Sequence, residues 1–276
     1  MAIDAALLQA ANEDPTEPVV RLYRWSEPTI SLGYFQETDL SSADLAMSAC
    51  PRVKRLTGGG AILHHHELTY SCVLPRFHAF SDEPLQLYDV IHRAIQEVLS
   101  EYGAMAGFRA DLPQPAPSFR SVSTGDDHQP FLCFLRSDPR DLAARDRLAG
   151  YPKIVGSAQR RRRGTILQHG SILLRCSPLL PDVPGICDLF PHFDLVTFSS
   201  ALPAKLATAL ADESFPAKYT DRELQCAYDC LKPDNRDTVG GTDTTIKVSQ
   251  KSIQTGHRQG QGEQLPGRHG PARQSD

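Results

Sequence analysis

The sequence predicts an α+β fold. Short segments with apolar residues at every second position recur at residues 19–25 (VVRLYRW), 29–35 (TISLGYF) and 67–74 (ELTYSCVL), the period of strands. One long stripe of period 3.6 runs through residues 85–102. The strands come in hairpin-like pairs mixed with helices, which points to α+β rather than to a doubly wound parallel sheet. The chain has 276 residues, 40% of them hydrophobic, which suffices for one large domain with a small appendage.

In chain order, residues 1–11 read as a helix with Ile3, Leu7 and Leu8 on one face, starting without a visible cap. Residues 19–25 and 29–35 read as two strands joined at Ser26–Pro28, hence a hairpin. Residues 41–49 read as a short serine-capped helix. Residues 53–56 and 61–63 flank Gly58-Gly59-Gly60, and residues 67–74 form another strand. Residues 85–102 are the clearest helix, with Leu87, Val90, Ile91, Ala94, Ile95, Val98 and Leu99 in one stripe and Gly103 as its stop. Residues 111–129, rich in Pro, Ser and Asp, read as a loop, and residues 131–135 as a short apolar run around Cys133. Residues 153–158, 164–168 and 171–175 read as strands around a turn at Arg160–Arg163. A weaker helical region extends from Leu202 to about Cys230. After Asp234 no aromatic residue occurs and Gly, Gln, Ser, Thr and Arg dominate. Such a segment buries too little apolar surface to offset its ordering entropy, so disorder is expected over residues 234–276.

Composition excludes several classes. The net charge is -4, which gives no case for nucleic acid as partner. Seven cysteines at irregular spacing, without a CxxC pair, argue against a disulfide framework and a zinc site and suit a reducing compartment. No basic n-region precedes the apolar start, and no apolar run is long enough to cross a bilayer. A cytoplasmic protein, off the membrane, is expected.

Four segments can carry chemistry. In Lys54-Arg55-Leu56-Thr57-Gly58-Gly59-Gly60 the glycines let backbone approach a ligand and take positive φ, and the dibasic pair suits a carboxylate or phosphate; a hairpin turn with solvated charges explains it as well. In Lys153-Ile154-Val155-Gly156-Ser157-Ala158 a lysine at a strand start can point into a cavity and stabilise an oxyanion, although most such lysines are exposed strand ends. His169, in Gln168-His169-Gly170-Ser171, reads as a structural histidine before it reads as a general base. In the run His64-His65-His66, strand alternation lets at most His64 and His66 share a site, and no metal site is expected. Cys133, between Leu132 and Phe134, is by itself a small core residue, or a nucleophile if a base or cation lies beside it.

Taken together, RLYRWSEPTISLGYFQ, KRLTGGGAILHHHELTYS and KIVGSAQRRRRGTILQHGSILL resemble, in the same order, the lipoate–biotin protein ligase and octanoyltransferase superfamily. The resemblance covers roughly residues 1–190 and implies a ligase-type domain like that of class II aminoacyl-tRNA synthetases, with a central, mostly antiparallel sheet flanked by helices. Residues 191–233 then form a C-terminal helical extension. Family members carry a strand before the first helix, so that strand is expected to be missing here. The triple glycine and the Lys153 motif resemble the ATP-dependent lipoate-protein ligases. SLGYFQ, HELTYS, ILQHGSI and a Cys-Phe pair twenty residues before the lysine motif resemble the cysteine-dependent octanoyltransferases.

The second likeness implies an octanoyltransferase of lipoate biosynthesis. Cys133 is then the nucleophile, and Lys153 orients the carbonyl and stabilises the developing charge. Gly58, Gly59, Gly60 and Ala61 shape an acyl tunnel with Tyr34, Arg55 and His64 nearby, and Gly156, Ser157, Ala158, His169 and Gly170 complete the substrate site. The implied donor is octanoyl-acyl carrier protein. The acceptor is a lipoyl carrier domain, either the glycine-cleavage H protein or a 2-oxoacid dehydrogenase E2. The enzyme is a monomer without a cofactor, and the Arg160–Arg163 turn docks the acidic donor. Gly60 stands where that branch often has arginine, and His65 where aspartate is usual. Cys187 is the rival nucleophile. The alternatives are an ATP-dependent lipoate ligase and an inactive module that holds acyl chain or carrier.

Overall fold

The computed structural model describes residues 1–13, 17–36, 45–113, 131–146, 148–230 and 244–250. Helix α1 (Ala2–Glu13) leads to strands β1 (Val19–Tyr23) and β2 (Thr29–Leu32). The short α2 (Leu45–Ser48) and β3 (Arg52–Lys54) precede the glycine segment; β4 (Ile62–His64) and β5 (Glu67–Leu74) follow it. Then come α3 (Pro84–Glu101), β6 (Ala106–Phe108), β7 (Leu142–Ala144), β8 (Lys153–Arg162) and β9 (Thr165–Leu173). The chain continues through α4 (Ile186–Leu189), α5 (Leu195–Leu210), β10 (Ala211–Pro216), α6 (Asp221–Cys230) and β11 (Thr244–Gln250). Eight strands form one antiparallel sheet in the order β10-β11-β1-β5-β9-β8-β7-β6. A second sheet, β3-β2-β4, pairs β2 with β3 in parallel and with β4 antiparallel. The α+β expectation therefore holds.

Strand β5 shows how the sheet divides space. Side chains alternate faces along a strand. Leu68, Tyr70, Cys72 and Leu74 enter the main core with Leu87, Ile91, Ile95 and Leu99 of α3 and Phe198, Leu202 and Leu206 of α5. Val73 faces the other way, against Ile3, Leu7 and Leu8 of α1 and Ala227 of α6. Glu67, Thr69 and Ser71 share that second face and are buried too. Buried polar groups need partners: Glu67 finds them in β4 and β9 and Ser71 in α1, while Thr69 donates to Glu67 and accepts from Trp25. The polar half of the ELTYSCVL alternation is thus buried against other polar groups, and Thr69 lines an interior cleft.

Helix α3 follows its sequence signals. Pro84 takes the first turn, where the missing N–H costs nothing. Gly103, at φ +96°, closes the helix as Ala104 N–H donates to Leu99 O at 2.8 Å and Gly103 N–H to Ser100 O at 3.4 Å, a Schellman closure. Because Ile95 is wholly buried, Ile95→Ala is expected to lower the unfolding free energy in urea by roughly 2–5 kcal/mol.

Several elements differ from the expectation. The segments 19–25 and 29–35 do not form a hairpin: β1 belongs to the large sheet and β2 to the small one. Trp25 causes the separation, since its Nε1 donates to Thr69 Oγ1 at 3.0 Å and its ring stacks on His64 at 4.1 Å, so residues 24–28 cross between sheets. β8 and β9 are longer than expected and unbroken at His169-Gly170, because Gly170 sits opposite Ser157 in regular register. Their turn is Arg163-Gly164, with φ values of 51° and 85°, the two-residue connection that suits strand twist; Arg160–Arg162 are strand. The helical region 202–230 is two helices separated by β10. Its sequence, ADESFP, carries little strand signal, and its partner β11 is remote in the chain. Residues 244–250, expected to be disordered, form β11 and pair with β1; the rest of 234–276 lies outside the described residues. So do most of the expected loop at 111–129 and the start of the expected helix at 41–49.

Candidate active site

A cleft open to solvent lies between the glycine segment and the polar face of β5, β9 and β8. The backbone of the segment packs unusually closely. A Cβ on Gly33 would overlap Gly59 O, and Gly59 itself has φ +91°, so both positions require glycine.

Two buried chains of polar groups hold this segment. On one side Arg55, 2% exposed, donates from one terminal nitrogen to Ser31 O at 2.8 Å and Ser31 Oγ at 3.0 Å. Its other terminal nitrogen donates to Gly58 O at 3.0 Å and to Gly60 O. Burial pushes the guanidinium down to about 10, still charged at neutral pH. Ser31 Oγ lies 2.6 Å from His64 Nε2, and His64 Nδ1 lies 2.6 Å from Glu67 Oε1. Beside a carboxylate, Nδ1 carries a proton and donates to Glu67. On the other side Thr57 Oγ1 lies 2.6 Å from His169 Nε2, and His169 Nδ1 faces Asp4 Oδ2 at 3.6 Å. Asp4 also accepts from Arg21, Tyr23 and Ser71. Burial pushes His169 below the ordinary histidine value against the pull of Asp4.

Cys133 opens a short 3-10 turn, Cys133–Leu135. Its N–H donates to Ala61 O at 2.7 Å and Ala61 N–H donates to Phe131 O at 2.9 Å, which pins the turn to the end of the glycine segment. Cys133 and Phe134 line the cleft. Lys153, at the start of β8, brings Nζ to 3.8 Å from Cys133 Sγ, 3.4 Å from Cys133 O and 2.8 Å from Asp141 Oδ2. Behind the cleft wall, Ser157 Oγ bonds both Tyr70 OH and His92 Nε2, and burial pushes His92 down to about 4, so it is neutral at physiological pH.

Gly58, Gly59, Arg55, His64, Gly156, Ser157, Ala158, His169 and Gly170 all line the cleft with Cys133. Gly60 and Ala61 do not: Gly60 packs under Phe131 O and the Arg136 guanidinium, and Ala61 bridges to Leu132. Tyr34 stands at the rim, 41% exposed, with the Arg160 guanidinium 4.7 Å above its ring. Both terminal nitrogens of Arg55 are engaged within the protein, while its buried Nε has no hydrogen-bond partner. Cys187 packs against the main core, away from the cleft lining, and burial raises its thiol. His65 stacks on His66 while His64 bonds Ser31 and Glu67. Among the described residues no group of three His, Cys, Asp or Glu could hold a metal ion, and no helix is long and apolar enough to cross a membrane.

Sequence reading missed Asp141, Glu67, Asp4, Ser31 and Thr57. Asp141 lies in DPRD, which reads only as a turn. Glu67 carried a signal: it is the polar start of an alternating strand, three residues after His64.

A family model describing the lipoyl protein ligase A/B catalytic domain matches residues 1–183. The octanoyltransferase LipM of Macrococcus caseolyticus is 35% identical over 193 residues, covering 69% of this chain and 64% of that protein. The octanoyltransferase LipM of Moorella thermoacetica is 38% identical over 182 residues, covering 63% of this chain and 60% of its own length. The chain thus spans less than two thirds of these relatives. Among solved structures, a bi-partite lipoate protein ligase from Thermoplasma acidophilum, studied with its E2 lipoyl domain, superposes with a TM-score of 0.58 at 18% identity, covering 83% of this chain and 86% of that one.

Proposed function

The chain belongs to the lipoyl protein ligase A/B catalytic domain family, and from that premise we propose that it moves an octanoyl group from acyl carrier protein to a lysine of a lipoyl carrier domain through a Cys133 thioester. The observation that carries this reading is the approach of Lys153 Nζ to within 3.8 Å of the sulfur of Cys133, itself on the wall of a cleft that Gly58 and Gly59 also line. The two relatives named octanoyltransferases support octanoyl transfer as the reaction.

The steps balance without ATP, because a thioester donor is already activated. The Cys133 thiolate attacks the donor carbonyl, the carbonyl collapses onto Cys133 and the carrier thiolate leaves with a solvent proton. The neutral ε-amine of the acceptor lysine then attacks the acyl-cysteine, an amide forms, and the Cys133 thiolate departs. Lys153 stands where it can balance the negative charge on sulfur and on the tetrahedral oxygen. Gly58 and Gly59 leave room for the chain between them and β8–β9. The acceptor is a lipoyl domain of the H-protein or E2 kind, and the Arg160-capped rim at Tyr34 faces the donor.

The test is incubation with octanoyl-acyl carrier protein in the absence of ATP, followed by intact-mass and peptide mass spectrometry. An octanoyl adduct on Cys133, discharged on adding a lipoyl domain, is the expected result. Lipoyl-adenylate formed from ATP and free lipoate, with no adduct, would establish the ligase reading instead. Carrier binding with neither product would leave a non-catalytic module.

A further inference from the structure

The contacts of Lys153 define its charge as well as its place. Its side chain lies across Gly156, where a Cβ would stand 2.8 Å from Nζ and closer still to Cε, so glycine alone lets the stem cross β8. Nζ then meets Asp141 Oδ2 at 2.8 Å, Cys133 O at 3.4 Å and the Phe134 ring centroid at 5.2 Å. A carboxylate, a carbonyl and an aromatic face all favour a cation.

Asp141 is itself fixed. Oδ2 accepts Asp138 N–H at 2.8 Å, and Asp141 N–H donates to Asp138 O at 3.0 Å. The pair is nearly dry, with Lys153 and Asp141 side chains 10% and 6% exposed. Burial pushes the Asp141 carboxyl upward, while Lys153 and the Asp138 N–H pull it down. The other ionisable groups around the pair are Tyr88 and His92 of α3, Asp138 and Arg140 of the turn, and Arg55 and Arg136 beyond Cys133. His92 is neutral at physiological pH and burial holds Tyr88 in its neutral form.

We propose that Asp141 is a positioning residue for acyl transfer: its carboxylate holds Lys153 as an ammonium aimed at Cys133, so that Lys153 acts as a fixed cation and not as the base that takes the thiol proton. This deepens the Cys133–Lys153 reading of the site and rests on it. A protonated amine has no lone pair to accept a proton. The Cys133 proton therefore leaves to solvent before attack. In the second step the proton shed by the acceptor amine balances the departing Cys133 thiolate, and Lys153 neither gains nor loses one.

The test follows Lys153 directly, by 13Cε NMR titration of the full chain labelled at lysine. In Asp141→Asn the ammonium loses its counter-ion in a nearly dry site, so Lys153 is expected to deprotonate at a pH at least about one unit lower than in the wild type. Asp141→Glu is expected to restore most of that shift. The alkaline limb of kcat for octanoyl transfer should move the same way, with kcat down roughly 10–100-fold and KM unchanged. An unmoved Lys153 titration in Asp141→Asn, or a wild-type Lys153 already neutral at neutral pH, overturns the proposal. The titration needs no turnover, so a chain that transfers no octanoate but shows the shift would sink the transferase reading alone. Transfer with an unmoved titration would sink only the role of Asp141.

Discussion

Cys133→Ser is expected to abolish acyl-enzyme formation and to lower kcat/KM for octanoyl transfer by at least roughly 10³-fold, the scale on which loss of a nucleophile is felt. The reason lies in what surrounds the side chain. A serine hydroxyl is a far weaker acid than a thiol and needs a base to attack. The Lys153 amine beside it is paired with Asp141 at 2.8 Å and has no lone pair to offer. His64 and His169 line the same cleft, but each directs one ring nitrogen to a hydroxyl and the other toward a carboxylate. The substitution should leave the fold intact, because the turn is pinned by the backbone of Cys133 rather than by its sulfur. A melting temperature within about 2 °C of the wild type, on the usual scale of small stability changes, separates lost chemistry from lost structure. Cys187→Ser is the control and should transfer normally. A Cys133→Ser enzyme retaining more than about a tenth of wild-type kcat/KM would remove Cys133 as nucleophile. Loss in Cys187→Ser alone would move the chemistry to the rival cysteine.

What could be read in advance from the sequence was local. β5, α3 and the β8–β9 hairpin each announce themselves through periodicity, α3 also through its stop at Gly103, and each appears within a few residues of its expected place. The failures are failures of partnership. β1 and β2 look like a hairpin because they are adjacent, alternating and separated by a Pro-containing turn. Nothing within residues 19–35 shows that Trp25 will anchor to Thr69 and His64 and send the two strands to different sheets. β10 has weak strand character, and long-range pairing supplies what its own sequence does not; β11 carries Thr244, Ile246 and Val248 in alternation, but a polar, glycine-rich surrounding hides it. The site divides in the same way. Cys133, Lys153 and the glycines stand out by residue type and motif. Asp141, Ser31, Thr57 and Asp4 are ordinary polar residues whose importance comes from what folds against them. Arg55 was legible as a cation beside a glycine loop, but not as one turned inward.

That inward turn supports the second large effect. Arg55→Met is expected to lower the unfolding free energy by roughly 3–5 kcal/mol, the range found when a buried charged group is removed from its partners. Methionine fills much of the volume but donates nothing. Ser31 O, Ser31 Oγ, Gly58 O and Gly60 O would lose their shared donor, and acceptors left dry cost about 1–3 kcal/mol each before the structure relaxes. Relaxation has a limited route, because Gly33 and Gly59 are already packed backbone to backbone and the segment can only swing outward. Swinging outward opens the cleft roof, so the Michaelis constant for the octanoyl donor should rise while Lys153 keeps its contacts with Cys133. Arg55→Lys should recover part of the stability, since an ammonium keeps the charge but cannot span carbonyls on both sides of the segment as a planar fork does. Urea unfolding of the three proteins decides the matter. If Arg55→Met unfolds within about 1 kcal/mol of the wild type, well below the cost of an uncompensated buried network, the guanidinium is no clamp. A role for Arg55 in gripping a substrate phosphate or carboxylate would then take the place of the clamp.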